Sequence, residues 1–182
     1  KRVQSCGKEA INVEVRVVDE NDNDVPAGAV GEVIGRGGNM MKGYWELPQA
    51  TAETIRGGYV RTGDLATVDE EGYIYLVGRK KDIINSDGKT IFPGEVEDVI
   101  YRHPSVSQVA VIGVPDAKLG ESVKAVVVLK GGMRAEEEEI LSFCREHLAA
   151  HAVPRSVTFV DELPRNPSGK ILKRELRDRH GK

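Results

Sequence analysis

Apolar and polar residues alternate strictly from Ile11 through Asn12, Val13, Glu14, Val15 and Arg16 to Val17, the period-two signature of a strand with one buried face. The run Asp19 to Asp24 supplies turn chemistry and leads to Pro26, after which Gly31-Glu32-Val33-Ile34 can return as a partner strand. A second pair is predicted in Tyr59-Val60-Arg61 and Gly72 to Val77, joined by the acidic turn Asp69-Glu70-Glu71-Gly72. Residues 1–78 therefore read as a small, mostly β unit.

From Gly78 the pattern changes, and helical stretches begin to alternate with short continuous apolar runs, which puts a boundary near residues 78 to 82. Pro93 and Gly94 open a helix with Val96, Val99 and Ile100 on one face, ending before Pro104 because the residue ahead of a proline disfavours the α region. Strands follow at Val106 to Val114 and Ser122 to Leu129, around a turn at Asp116 to Gly120. Glu136 to Glu139 begin a helix that ends near Arg145 and His147, with its charges disposed as the macrodipole favours. A short strand at Val157 to Val160, a loop at Pro164 to Gly169 and an amphipathic basic helix at Ile171 to Arg179 complete the chain. The fold class is α+β, with residues 79–182 forming a sheet and its packing helices.

Composition narrows the function more than the fold. The chain has 182 residues, 40% hydrophobic and 30% charged, the balance of a soluble globular protein. A net charge of -3 argues against the broad positive footprint of a nucleic-acid binder. No apolar run approaches the roughly 20 residues of a transmembrane helix, and the polar opening Lys1 to Cys6 does not resemble a secretory signal. Cys6 and Cys144 sit in no metal-binding spacing, so reduced thiols in a cytoplasmic protein and no metal site are expected. The chain begins without methionine in a polar stretch that runs straight into a strand, as a piece of a longer protein would.

Four segments carry candidate chemistry, each weak alone. Tyr59-Val60-Arg61-Thr62-Gly63-Asp64 runs a strand into a glycine and a carboxylate able to accept two hydrogen bonds from a ribose diol, although Asp64 reads equally as a turn cap. Gly78-Arg79-Lys80-Lys81-Asp82 packs four charges at the boundary, as a solvated linker also would. Asn85 to Pro93 is a glycine-centred turn before a helix, where Gly88 permits close approach of a ligand or simply makes a hairpin. Pro164-Arg165-Asn166-Pro167-Ser168-Gly169-Lys170 is a loop stiffened by two prolines, ending in a lysine of the ordinary surface kind.

Taken in order, these segments, with Gly31-Glu32-Val33, Met41 to Trp45, Pro48 to Thr51 and Phe92 to Glu97, closely resemble the carboxy-terminal part of the AMP-forming acyl-CoA synthetases of the adenylate-forming superfamily. The resemblance implies a ligase that joins a carboxylic acid, a fatty acid or similar, to ATP as an acyl-adenylate and then to CoA. It implies a mobile carboxy-terminal domain after the β-rich end of a large amino-terminal domain missing here, with the phosphate loop, acyl pocket and Mg site in that missing part. Lys170 would be the catalytic lysine bridging acid and α-phosphate. Asp64 and Arg79 would hold the ribose, Lys81 would be the hinge, and Asp87, Gly88 and Lys89 would line the CoA path. Departures occur at Gly88-Lys89-Thr90, where many relatives read Gly-Glu-Asn or Gly-Tyr-Gln, and at Asn85, where some carry lysine. Alternative readings are a peptide-synthetase adenylation domain, which would normally continue into a carrier domain where this chain stops, and a non-catalytic nucleotide- or CoA-binding module. The fragment alone is expected to be inactive.

Overall fold

A computed structural model describes residues 4–181, so the first three residues of the polar opening and the terminal Lys182 lie outside the described residues. Its contacts divide the chain into two units, Lys1–Lys81 and Asp82–Lys182.

The first unit is built on one antiparallel sheet. Strands β1 (Val13–Val18), β2 (Gly31–Gly37), β3 (Ile55–Arg56), β4 (Tyr59–Val68) and β5 (Ile74–Arg79) form it, with β2 between β1 and β4, and β4 pairing both β3 and β5. A helix of about two turns, α1 (Pro48–Thr54), precedes β3. Val17, Ala66 and Ile74 are buried together, packed by Val15, Val25, Val33 and Val68. Two sequence expectations shift. The alternation at Ile11 and Asn12 is not strand: Asn12 takes φ +65° and Ile11 is 92% exposed, so β1 begins at Val13. Nor does the strand at Tyr59 end at the carboxylate, because β4 continues through Gly63 and Asp64 to Val68, with register irregularities where it meets β2 and β5.

In the second unit, β6 (Ile84–Ser86) and β7 (Lys89–Ile91) form a hairpin, α2 (Pro93–Tyr101) follows, and β8 (Val106–Asp116) and β9 (Gly120–Leu129) make a long antiparallel ribbon. Helix α3 (Glu137–His147) leads to β10 (Ser156–Phe159), parallel to β9, and α4 (Lys173–His180) closes the fold. The unbroken apolar runs of β8 and β9 have a physical cause: both faces of the ribbon are covered. Val109, Val111, Val123, Ala125 and Val127 join Val96, Ile100, Ile140 and Cys144 from α2 and α3 in one core. Ala110, Ile112, Val126 and Val128 meet Leu163 and Leu176, the latter from α4, in another. Side chains such as Ile100 and Ile140, fully withdrawn from water, each contribute about 1.5–3 kcal/mol of burial. The outer edge of β8 is occupied by Glu97 of α2, whose Oε1 accepts from Val111 N at 2.7 Å and from Lys173 Nζ at 2.6 Å. One carboxylate thereby ties α2, β8 and the start of α4 together. Helix α4 begins two residues later than the sequence suggests, because Leu172 N instead donates to Pro164 O.

Candidate functional site

The residues of interest fall into three groups, one in the first unit and two in the second. In the first, the β4–β5 pairing sets Asp64 opposite Arg79, and Arg79 Nε donates to Asp64 Oδ1 at 2.7 Å. Gly63, at φ +71°, lets the backbone turn between Thr62 and Asp64. Thr62 Oγ1 fastens that turn, donating to Val33 O at 2.7 Å and accepting from Asp64 N at 3.0 Å. Beneath it lies Glu32 of β2, only 6% exposed, a carboxylate the sequence shows only as part of a strand. It accepts from Arg61 Nη1 at 2.8 Å, Gly63 N at 3.3 Å and Lys80 Nζ at 3.4 Å. A buried carboxylate keeps its charge only with such partners. An open depression of about 420 Å³ is lined by Thr62, Gly63, Arg79, Lys80 and Lys81. Residues Lys80–Asp82 form a single 3-10 turn in which the Lys81 side chain is exposed and makes no ion pair or hydrogen bond among the described residues.

In the second unit the Asn85 to Pro93 segment resolves into the β6–β7 hairpin with Asp87 and Gly88 at its tip, at φ +51° and +70°. Two consecutive left-handed residues make the type I′ connection, which Asp-Gly favours. A Cβ at Gly88 would meet no protein atom within 4 Å, so the space beside the tip is open. The hairpin is anchored from behind. Asp87 N donates to Leu119 O at 3.0 Å, and the Leu119 turn is held by Asp116 Oδ1, which accepts from Lys118 N at 2.9 Å and Leu119 N at 3.1 Å. Those backbone donors keep the Asp116 carboxyl below the usual carboxylate range. Next to the hairpin is a cleft of about 490 Å³, whose lining includes Asp87, Lys89, Arg145, His151 and Arg155. The last three escaped the sequence reading because they are scattered over α3 and the segment after it, with no local spacing to mark them. Cys144, on the buried face of α3, is inert: burial pushes its thiol up to about 11.

Lys170 stands elsewhere in this unit, on a loop closed by its own hydrogen bonds. Asn166 N donates to Lys170 O at 2.9 Å, and Asn166 Oδ1 accepts from Lys170 N and Ser168 Oγ, both at 2.8 Å. Arg165 reaches Gly169 O at 2.6 Å and Gln108 Oε1 of β8 at 2.9 Å. The backbone is thus tied down, whereas the Lys170 ammonium is exposed and has no partner among the described residues. Asn166 was legible only as part of a loop stiffened by two prolines. Its service to Lys170 was not.

The hairpin and the lysine loop are not brought together. The hairpin joins β9 at Gly120, where the ribbon turns, and the loop is fixed at Gln108, which pairs with Val128 near the other end. Eight residues of β8 separate the two anchors, which at about 3.4 Å per residue is roughly 27 Å. Among the described residues no group of three His, Cys, Asp or Glu could hold a metal ion, and no helix is long and apolar enough to cross a membrane.

Comparison with known proteins gives a consistent answer. Residues 95–170 match the AMP-binding enzyme C-terminal domain and residues 1–45 match the AMP-binding enzyme model. Over 174 residues the chain is 46% identical to a long-chain-fatty-acid--CoA ligase of Escherichia coli O6:H1, covering 96% of this chain and 31% of the ligase. It is 47% identical over 181 residues to a feruloyl-CoA synthase of an Amycolatopsis species, covering all of this chain and 37% of the synthase. An ATP-bound MatB from Rhodopseudomonas palustris superposes with a TM-score of 0.93 at 39% identity, over 98% of this chain and 36% of MatB. The chain therefore spans about a third of the length of its relatives.

Proposed function

This chain belongs to the family of AMP-binding, adenylate-forming enzymes, and from that premise we propose that it is the carboxy-terminal part of an ATP-dependent acyl-CoA ligase, with residues up to about 78 ending the large domain and the remainder forming a lid that pivots at Lys81. Carboxylate and ATP first give acyl-adenylate and pyrophosphate, and the CoA thiol then displaces AMP. The observation supporting this reading is the separation of the Lys170 loop from the Asp87-Gly88 hairpin along one rigid ribbon. A single acyl group cannot meet both groups at once, whereas a lid that turns presents each in its own half-reaction.

In the first half-reaction Asp64 accepts from the ribose hydroxyls, and Arg79 orients that carboxylate and contacts the same sugar. Lys170, a cation without a partner among the described residues, stabilises the charge that gathers at the α-phosphate as the acid attacks. In the second, Gly88 leaves room for the pantetheine arm to pass between Asp87 and Lys89, and Arg145 and Arg155 offer positive charge, with His151 beside them as a hydrogen-bonding ring, to the phosphates of CoA. Mg arrives with ATP on the portion of the enzyme outside this chain. The chain alone does not turn over, since the described residues include no Ser/Thr/Gly-rich loop to cradle a triphosphate.

The preferred acid is a fatty acid, in keeping with the bacterial ligase at 46% identity. An aromatic acid is the second reading, favoured by the feruloyl-CoA synthase at 47%. Pyrophosphate release by the enzyme containing this chain, over fatty acids of increasing length and over hydroxycinnamates, separates the two. Release with fatty acids and thioester only when CoA is added is expected; no acid-dependent release from ATP would overturn the ligase reading.

A further inference from the structure

The four charged residues around the boundary between the units are not equivalent. Arg79 donates to Asp64 and Lys80 to the buried Glu32, both within the first unit. Asp82, whose side chain is 14% exposed, accepts instead from Arg177 Nη2 of α4 at 2.9 Å, within the second. Between them only Lys81 has a side chain with no partner among the described residues. Each side of the turn is thus fastened to its own unit up to the neighbouring residue, and torsional freedom is left at one position.

Arg177 belongs to a helix that has no freedom of its own. Lys173 is bound to Glu97 at the first turn of α4, Leu176 is buried in the core shared with β8 and β9, and the carbonyl of His180 accepts from Lys124 Nζ at 2.9 Å. Lys170 lies three residues ahead of the helix, on a loop closed by Asn166. We propose that Arg177 is a positioning residue, whose ion pair with Asp82 fixes the first residue after the pivot to the helix behind Lys170, so that rotation at Lys81 is delivered to the lysine without slack. This rests on the ligase reading above. Without the pair, the backbone at Asp82 and Ile83 becomes a second hinge, and Lys170 reaches the α-phosphate in a broader spread of positions. Misplacement of a catalytic group by about 1 Å can cost up to about a hundredfold in rate.

The test uses the enzyme that contains this chain, with Arg177→Met, Arg177→Lys, Asp82→Asn and the Arg177→Met/Asp82→Asn double variant. Arg177→Met is expected to lower kcat for pyrophosphate release about tenfold, with KM for ATP and acid within about twofold, and to speed amide exchange at Asp82 to Ile84. Arg177→Lys restores most of the rate, Asp82→Asn reproduces the loss, and the double variant is no worse than either single one. An unchanged kcat, a thermal destabilisation with both rate and exchange unaltered, or additive losses in the double variant would overturn the proposal. If the unaltered enzyme releases no pyrophosphate with any acid, the ligase reading fails by itself. The clamp is then decided by exchange alone: faster exchange in Arg177→Met upholds it, and unchanged exchange removes it.

Discussion

Gly88 meets a demand of the fold and, under the proposed function, one of the chemistry. Its φ of +70° is what a type I′ hairpin demands, and the missing Cβ leaves open space beside the tip. An L-residue in left-handed backbone costs on the order of 1–2 kcal/mol, so Gly88→Leu lowers the melting temperature moderately. Gly88→Asn, which tolerates that backbone better, lowers it less. The account expects more than strain from leucine. In half-reaction assays Gly88→Leu should leave pyrophosphate release within about threefold while reducing thioester formation from supplied acyl-adenylate by on the order of a hundredfold, as an obstructed path would. Equal losses in both would mean that the hairpin tip faces no CoA path. At this scale the sequence singled out residues only where they stood in a contiguous motif, as Asp64, Arg79, Gly88 and Lys170 do. The partners that gather on Glu32, and the placing of Arg145, His151 and Arg155 beside the hairpin, left no local pattern to read, because they follow from how the elements pack.

Among the elements, the long apolar runs of β8 and β9 and the periodic helices α2, opened by Pro93, and α3, opened by an acidic turn, were legible because each carries its pattern over nine residues or more. The strands β6 and β7 have three residues each, too few to show a period, and only the Asp-Gly pair hinted at a hairpin. Alternation misled at Ile11, where the pattern continues but the backbone turns at Asn12. The passage of β4 through Gly63 was hidden because an irregular register leaves no mark on hydrophobic patterning. The lysine loop is the element whose stiffness matters most. Asn166→Ala removes an oxygen accepting two hydrogen bonds, each worth about 0.5–1.5 kcal/mol. Adenylation kcat should fall roughly tenfold while thioester formation from supplied adenylate is unaffected. Adenylation at the unaltered rate would show that the Lys170 position does not depend on the internal closure of its loop.

For the whole molecule, the division between Lys81 and Asp82 falls where the sequence changes from paired β strands to alternating strands and helices. A sequence reports such a change because the two units bury their apolar residues by different periods. It cannot report that the hairpin and the lysine loop lie at opposite ends of one ribbon, since that follows from the register of β8 against β9 and from the contact of Arg165 with Gln108. On the function proposed above, that separation lets one turning lid serve the two half-reactions in turn. Lys170→Ala in the enzyme containing this chain, assayed separately for each half-reaction, tests it most directly. Pyrophosphate release should fall by about 10² to 10³, with thioester formation from supplied acyl-adenylate and CoA within about twofold of the unaltered enzyme; equal loss of both would contradict the account.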